Sequence, residues 1–447
     1  MKKNVIFWVG IKNEAHNDKY GNFDYFEYTK QSWKHFCERF DCTFVEFNQP
    51  IKEDLSEYRV NWQKAIYAFD VLDNLGIEYN QIALVDSTCM YKWDAPNFFE
   101  LTEHKFTGWR DSDNLNWIYQ SVIGYEPFFK FKLDISNYIN SGFIIFNESH
   151  KKVMNSFKEL YENNKQYFID AQDKLIKKGT EQTPLNYWLQ INKVDVKTDL
   201  PLPFKLTHLN RKDLFHYNWQ LNEDTTPFFI KYGYNWIFNG IPKDARSNVL
   251  KQVWDMVSKY YTKEYLVLEQ VNHKHQYKNS TSRKFKEDLI TVFKGKGIKT
   301  CVEFGCCQGD TTKVLSTVFD TVYASDLYED NVSISKEKCI DRLNIDFEVK
   351  DVNSEWQYEN VDVIYLDALH DLAGIKSGLD RCQTQYPNAI IIMDDYGHEM
   401  NTVKPIIHEL ISENKIEVLH WIGENKGYKA ANSKLFVDRE GLIFKFK

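Results

Sequence analysis

Three aspartates and one histidine are the residues of this 447-residue chain whose types and spacing are best suited to chemistry. Asp367-Ala368-Leu369-His370 closes the apolar run VDVIYLD, and Asp394-Asp395 closes AIIIMDD. In an open α/β sheet, acids at the carboxyl ends of neighbouring strands face the ligand crevice. Three carboxylates converging there would repel unless a cation or a proton relieves them. Mg²⁺ suits them, because it is a hard cation that takes oxygen ligands. A second constellation precedes them in CVEFGCCQGDTT, residues 301–312. There Glu303 ends a strand, and Gly305 and Gly309 let the backbone approach a ligand closely before a helix begins. The spacing is E-x-G-x-x-x-G and lacks the third glycine of a dinucleotide turn, so it does not read as a pyrophosphate site. Glu303 points instead to a positively charged or hydroxyl-bearing ligand. Asp326 ends the next strand, where an acid reaches ribose hydroxyls in such folds. Far upstream, the buried run 81–85 delivers Asp86 to a strand end.

The elements that must hold these residues form two α/β series. In the first, strands are expected at 5–11, 43–47, 81–85 and 142–146, with helices at 28–40, 58–75 and 151–164. Gly76 follows the second helix as a left-handed C-cap would. HKHQYKNSTSRK is polar and without apolar period, which marks a linker over residues 261–282. A helix at 283–293 then opens the second series, with strands at 300–304, 321–325, 346–349, 361–366, 389–393, 417–421, 435–437 and 442–446. Alternating strands and helices with a strand-rich end predict a mostly parallel, doubly wound sheet. Residues 1–260 are thus expected to form one domain and 283–447 another.

Composition narrows the classes. Hydrophobic residues make up 43% and charged residues 27%, as in soluble globular proteins. The 16% aromatic content fits cores and sugar or base sites. A net charge of −8 argues against a nucleic-acid surface. The apolar run at 5–11 is shorter than a secretory core or a membrane span and reads as a buried strand. Eight cysteines without a CxxC pair read as reduced thiols, which predicts a cytoplasmic protein.

From about residue 282 onward the chain resembles the class I S-adenosylmethionine-dependent methyltransferases. That resemblance implies a Rossmann-like domain with Glu303, Gly305 and Gly309 beside the methionine part, Asp326 on the ribose and Asp351 near the adenine. The two acid clusters further resemble the metal-dependent sugar O-methyltransferases. They imply Asp367, Asp394 and Asp395 on Mg²⁺ and His370 as general base. A sugar hydroxyl is a poor nucleophile near neutral pH. A divalent cation lowers its pKa, and an imidazole with pKa near ~6.5 can accept its proton.

Residues 1–257 carry RVNWQKA, the acid Asp86 with Ser87 and Thr88, YINSGFIIFN, TEQTPLN and WIFNGIPKDAR, in that order. The series resembles glycosyltransferases of the GT-A fold, especially those like family 8, and implies a mixed-sheet domain. Asp86 then matches the first acid of a D-x-D motif, which would hold Mn²⁺ or Mg²⁺ against a nucleotide-sugar diphosphate. Asn140, Ser141 and Gly142 match the element near the sugar, and Glu181 and Gln182 the pair at donor and acceptor. Arg59 and Lys64 lie on the helix that would face the nucleotide. Two positions depart from the pattern. Thr88 stands where the second acid would be, and Ile237-Phe238-Asn239-Gly240 lacks the metal-binding histidine.

Together the two halves predict a bifunctional enzyme that transfers a sugar from a nucleotide donor and O-methylates a sugar hydroxyl. Tethering would raise the effective concentration of one module's product near the other. Two alternatives stay open: a methyltransferase carrying a non-catalytic glycan-binding domain, and a small-molecule or catechol-type O-methyltransferase.

Overall fold

The computed structural model describes residues 2–12, 23–111, 114–205, 226–241, 243–274, 280–368, 371–397, 402–424 and 439–447. The expected strand at 435–437 lies outside them, as do His370 and Leu369. The chain divides into two compact units, Met1–Tyr261 and Thr262–Lys447.

Unit 1 is built on β1 (Lys3–Val9), β2 (Thr43–Phe47), β3 (Tyr79–Asp86), β4 (Cys89–Tyr91), β5 (Phe106–Arg110), β6 (Ile139–Phe146), β7 (Val196–Lys197) and β8 (Asn235–Ile237). Six of them form a mixed sheet in the order β2-β1-β3-β6-β5-β7, and β4 pairs with β8 separately. β1, β3 and β6 are apolar nearly throughout because both faces of the sheet are covered. One face packs on α2 (Val60–Asn74), where Trp62 stacks on Tyr161 with ring centroids 4.1 Å apart. The other packs under α1 (Tyr25–Phe40), whose Trp33 stacks on Tyr91. The antiparallel registers matter most for function. Val85 pairs with Phe143 across β3 and β6, and Arg110 with Ile139 across β5 and β6. The carboxyl ends of β3 and β5 therefore meet the amino end of β6. β5 was not expected from sequence, its five residues being too short and mixed for a clear period.

Unit 2 carries a seven-stranded sheet in the order β11-β10-β9-β12-β13-β15-β14. Its strands are β9 (Thr300–Phe304), β10 (Thr321–Asp326), β11 (Ile345–Val349), β12 (Val363–Leu366), β13 (Ile390–Met393), β14 (Ile416–Ile422) and β15 (Gly441–Phe446). The first five follow a doubly wound order, and β15 runs antiparallel to both its neighbours. The order reverses between β9 and β12, which is the switch point where such sheets bind ligands. Part of the segment read as a linker is not one. Lys263–Leu268 is helical, and its Tyr265, Val267 and Leu268 are buried in unit 2. The polar tract that suggested a linker begins only after these apolar residues. Among the described residues no helix is long and apolar enough to cross a membrane.

A buried carboxylate ties the edge of this unit to the helix beneath it, Arg283–Phe293. Glu440, 1% exposed, accepts from Ser282 N at 2.8 Å and Glu424 N at 3.2 Å, and from Ser282 Oγ. Ser282 in turn caps that helix through Phe285 N. Glu440→Ala strands these donors and is expected to destabilise unit 2 by about 2 kcal/mol. Urea unfolding checks this, and an unchanged midpoint would remove the tie from the account.

Candidate functional site

In unit 2 the chain turns sharply at the end of β9. Gly305 has φ +94°, and a Cβ there would stand 2.4 Å from Asp367 O at the end of β12. Only glycine permits that approach. Gly309, at φ +77°, likewise lies against Ser335 and begins the short helix Asp310–Leu315. The turn borders a cavity of about 550 Å³. Six carboxyl side chains line it: Glu303, Asp310, Asp326, Asp367, Asp394 and Asp395. Lys274 lines it too.

The protein serves these charges in part: Lys338 donates to Asp310 Oδ1 at 2.7 Å, and Lys274 and Lys286 lie near enough to act on the acids. Glu303 is 1% exposed and its Oε2 has no hydrogen-bond partner. Burial pushes its pKa up to about 7. Asp310 Oδ2 is also buried without a partner. Asp326 accepts from Cys307 N at 2.9 Å and from Tyr328 N and Asn331 Nδ2 at 3.0 Å, so it clamps the turn while one lone pair remains. Burial first, and then repulsion by its neighbours, raises both Asp367 and Asp394 far above the carboxylate range. Asp367 accepts from Tyr365 Oη at 3.1 Å, and Asp394 from Asp395 N at 2.7 Å, with Asp395 itself at φ +55°. Asp351 is not brought here. It is exposed and closes a turn on Asn353 N.

These features fit S-adenosylmethionine, whose ammonium and sulfonium are positive. The orphaned Glu303 oxygen and the glycine cradle are the places such a ligand would fill. For Mg²⁺ the oxygen-only donor set is chemically apt. Among the described residues, however, no group of three His, Cys, Asp or Glu side chains is disposed to hold a metal ion.

Unit 1 gathers a different site. Lys64, on α2 and 2% exposed, donates to Asp86 Oδ1 at 2.7 Å and to Ser141 O at 3.1 Å, and lies 3.2 Å from Glu181 Oε1. Burial alone would lower its pKa, but Asp86 and Glu181 outweigh it and raise it. Burial raises the pKa of Asp86, with Lys64 opposing. Ser141 Oγ donates to Glu181 at 2.7 Å, and Ser141 N to Gln182 Oε1 at 3.2 Å. Asn140 Oδ1 accepts from Gly142 N at 2.8 Å. Thr88 Oγ1 donates to Asn239 Oδ1 at 2.6 Å. Eight positions singled out in the sequence, 64, 86, 88, 140, 141, 142, 181 and 182, thus converge. Arg59 does not join them and pairs with Asp173.

The donor set here does not fit a divalent cation. Asp86 is already bound to an ammonium, the second acid is a threonine spent on Asn239, and Glu181 is held by Lys64 and Ser141.

Two residues of these clusters escaped the sequence reading. Asp111, just past β5, accepts from Gln182 Nε2 at 2.9 Å and Asn140 Nδ2 at 3.1 Å, and nothing in its neighbourhood flagged it. Lys286 is fully buried behind the unit 2 cavity, donating to Thr281 O at 2.7 Å and Ser280 Oγ at 3.0 Å. A signal existed for it, since 286 shares the apolar stripe of 289, 290 and 293.

Fold and site together define a chain of two α/β units, the second with a carboxylate-lined cavity at the switch point of a doubly wound sheet. No protein-family model and no curated protein matches the chain. Solved structures similar to it include the N-methyltransferase NodS of Bradyrhizobium japonicum WM9 in complex with S-adenosyl-L-homocysteine. It is 13% identical over 41% of this chain and 98% of that one, with a TM-score of 0.30. An rRNA methylase from Streptococcus thermophilus is 10% identical over 36% and 93%, with a TM-score of 0.27. A glycosyltransferase involved in glycosylation of the major capsid of PBCV-1 is 8% identical over 56% and 99%, with a TM-score of 0.33. Likenesses at this level leave the argument with the geometry.

Burial pushes the Lys286 pKa down to about 8. The unfolded chain therefore binds the extra proton between that value and ~10.4, and stability rises with pH across this window. Lys286→Met lacks the dependence. From pH 8 to pH 10.5, urea unfolding should shift in favour of wild type over the variant by on the order of 3 kcal/mol. A constant difference would contradict the buried, depressed lysine.

Proposed function

We propose that the chain is a bifunctional glycan-modifying enzyme, with S-adenosylmethionine-dependent O-methylation of a sugar hydroxyl in unit 2 and sugar transfer from a nucleotide-sugar in unit 1. The observation that carries the first part is the cavity at the β9/β12 switch point, with its six carboxyl groups and the unpartnered Glu303 Oε2. Such a lining favours a cationic ligand over an anionic dinucleotide. Glu303 would take the cofactor's ammonium, Asp326 the ribose through its remaining lone pair, and the Gly305 turn would let the backbone pass beside the methionine chain. Asp351 is assigned to the adenine end by resemblance alone.

By resemblance alone Asp367, Asp394 and Asp395 would hold Mg²⁺, although as placed here they form no metal-holding group. Bound there, the ion would lower the pKa of a hydroxyl beside it. Tyr365 orients Asp367 by its hydrogen bond. His370 would accept the hydroxyl proton as the oxygen attacks the methyl group.

The second part rests on the network joining Asp86, Lys64, Ser141, Glu181 and Gln182, and through Asp111 also Asn140, where the ends of β3, β5 and β6 meet. Carboxylates and amides in this arrangement suit sugar hydroxyls, which both donate and accept. A non-catalytic glycan-binding role for this unit is favoured by one feature, the consumption of Asp86 by Lys64.

Mass spectrometry of glycans incubated with S-adenosylmethionine and a panel of UDP- and GDP-sugars reads both activities together. Added methyl mass on sugars and not on phenols is the expected result, and preference for phenols would sink the sugar assignment. His370→Ala is expected to lower methyl transfer by ~100-fold or more while cofactor affinity stays within a few-fold. Unchanged turnover would take His370 out of the mechanism.

A further inference from the structure

The mismatch between the unit 1 site and a divalent cation leads further. We infer that this site supplies its cation from its own chain: the Lys64 ammonium fills the place beside Asp86 where a metal would sit, and the site takes its sugar ligand without Mn²⁺ or Mg²⁺. The inference rests on the sugar-site reading for the ligand, but not for the cation.

The geometry is specific. An ammonium has three N–H donors, and Lys64 has three acceptors, Asp86 Oδ1, Ser141 O and Glu181 Oε1. One cation thus bridges the two carboxylates that face each other across the site. Its side chain is 3% exposed and that of Glu181 2%, so this half of the bridge is shielded from water and from salt. The Asp86 side chain is 23% exposed and opens the other half to a ligand. Nearby oxygens offer a metal little in exchange. Thr88 Oγ1 is spent on Asn239, whose amide also reaches Asp86, and Ser141 Oγ is spent on Glu181. A divalent ion approaching Asp86 would meet a fixed positive charge 2.7 Å from the very oxygen it needs. The threonine at 88 and the lysine at 64 are then parts of one arrangement, in which a single ammonium stands between Asp86 and Glu181.

Removing the lysine should create the metal site that its presence prevents. The test uses the full chain with Asp367→Asn, Asp394→Asn and Asp395→Asn, so that unit 2 lacks the three acids assigned to its own metal, and MnCl₂ as the probe. Free Mn²⁺ is read by electron paramagnetic resonance, with circular dichroism to verify folding. With Lys64 in place, no Mn²⁺ that depends on Asp86 should bind. Lys64→Met leaves Asp86 and Glu181 without a counter-ion and should bind one Mn²⁺ at least ~10-fold more tightly. Mn²⁺ bound with Lys64 present and lost on Asp86→Asn would overturn the inference. So would a folded Lys64→Met chain that gains no Mn²⁺. Should Lys64→Met fail to fold, the comparison of Lys64-intact chains with and without Asp86→Asn decides alone. Nucleotide-sugar binding in excess EDTA is measured separately. Failure of every sugar there and with Mn²⁺ sinks the sugar reading and leaves the Mn²⁺ result standing.

Discussion

A carboxylate withdrawn from water has to find positive charge, take up a proton, or leave the fold, and both units of this chain are arranged around that constraint. Burial raises the pKa of Asp86 in unit 1 and of Glu303, Asp367 and Asp394 in unit 2. The two units answer differently. In unit 1 the cation is Lys64, bound to two acids and a carbonyl. In unit 2 the acids outnumber the cations around the cavity, and Glu303 Oε2 makes no hydrogen bond of ordinary geometry, Thr312 being its nearby side-chain donor. A site whose acids are held by groups of its own chain needs less from a ligand. One whose acids are not so held has a standing affinity for a cationic ligand, and this contrast distinguishes the two sites.

Strand ends create the constraint. Parallel strands covered on both faces are apolar along their length, so their polar chemistry is pushed to the ends. Asp86 and Asp326 end β3 and β10, while Asp367 and Asp394 follow β12 and β13 directly. Registers then decide which ends meet. The antiparallel pairing of β6 with β3 and β5 brings Asn140 to Gly142 beside Asp86 and Asp111. In unit 2 the reversal of strand order places Gly305 against Asp367 O. Lysines complete both sites from helices, Lys64 from α2 and Lys286 from the helix under β15.

Much of this was legible in the sequence where the signal was local. The strand Thr300–Phe304 and its glycine turn read directly from an apolar run ending in E-x-G, and the helix Arg283–Phe293 from its apolar stripe. The unit 1 cluster was legible as a serial order of short motifs, although no single one of them was decisive. What sequence could not supply was partnership across distance. That Lys64 meets Glu181, 117 positions away by number, depends on the packing of α2 against the sheet. Asp111 went unnoticed because its importance lies wholly in Asn140 and Gln182. Arg59 and Asp351 carried plausible spacing, yet neither enters its cluster, since a helix end and an exposed turn offered them nearer partners. The helix Lys263–Leu268 was hidden by the polar tract after it, whose composition dominated the window.

We propose that the unit 2 cavity binds S-adenosylmethionine because its acids outnumber the lysines around them. Isothermal titration of the full chain with S-adenosylmethionine near pH 7, in buffers of differing ionisation enthalpy, tests both halves of that claim at once. Glu303, held at about 7 by burial, should release its proton to the buffer when an ammonium binds beside it. The account predicts one cofactor per chain, release of roughly half a proton on binding, and loss of binding in Gly305→Val, whose Cβ would meet Asp367 O at 2.4 Å. No saturable binding, or binding without proton release, would contradict it.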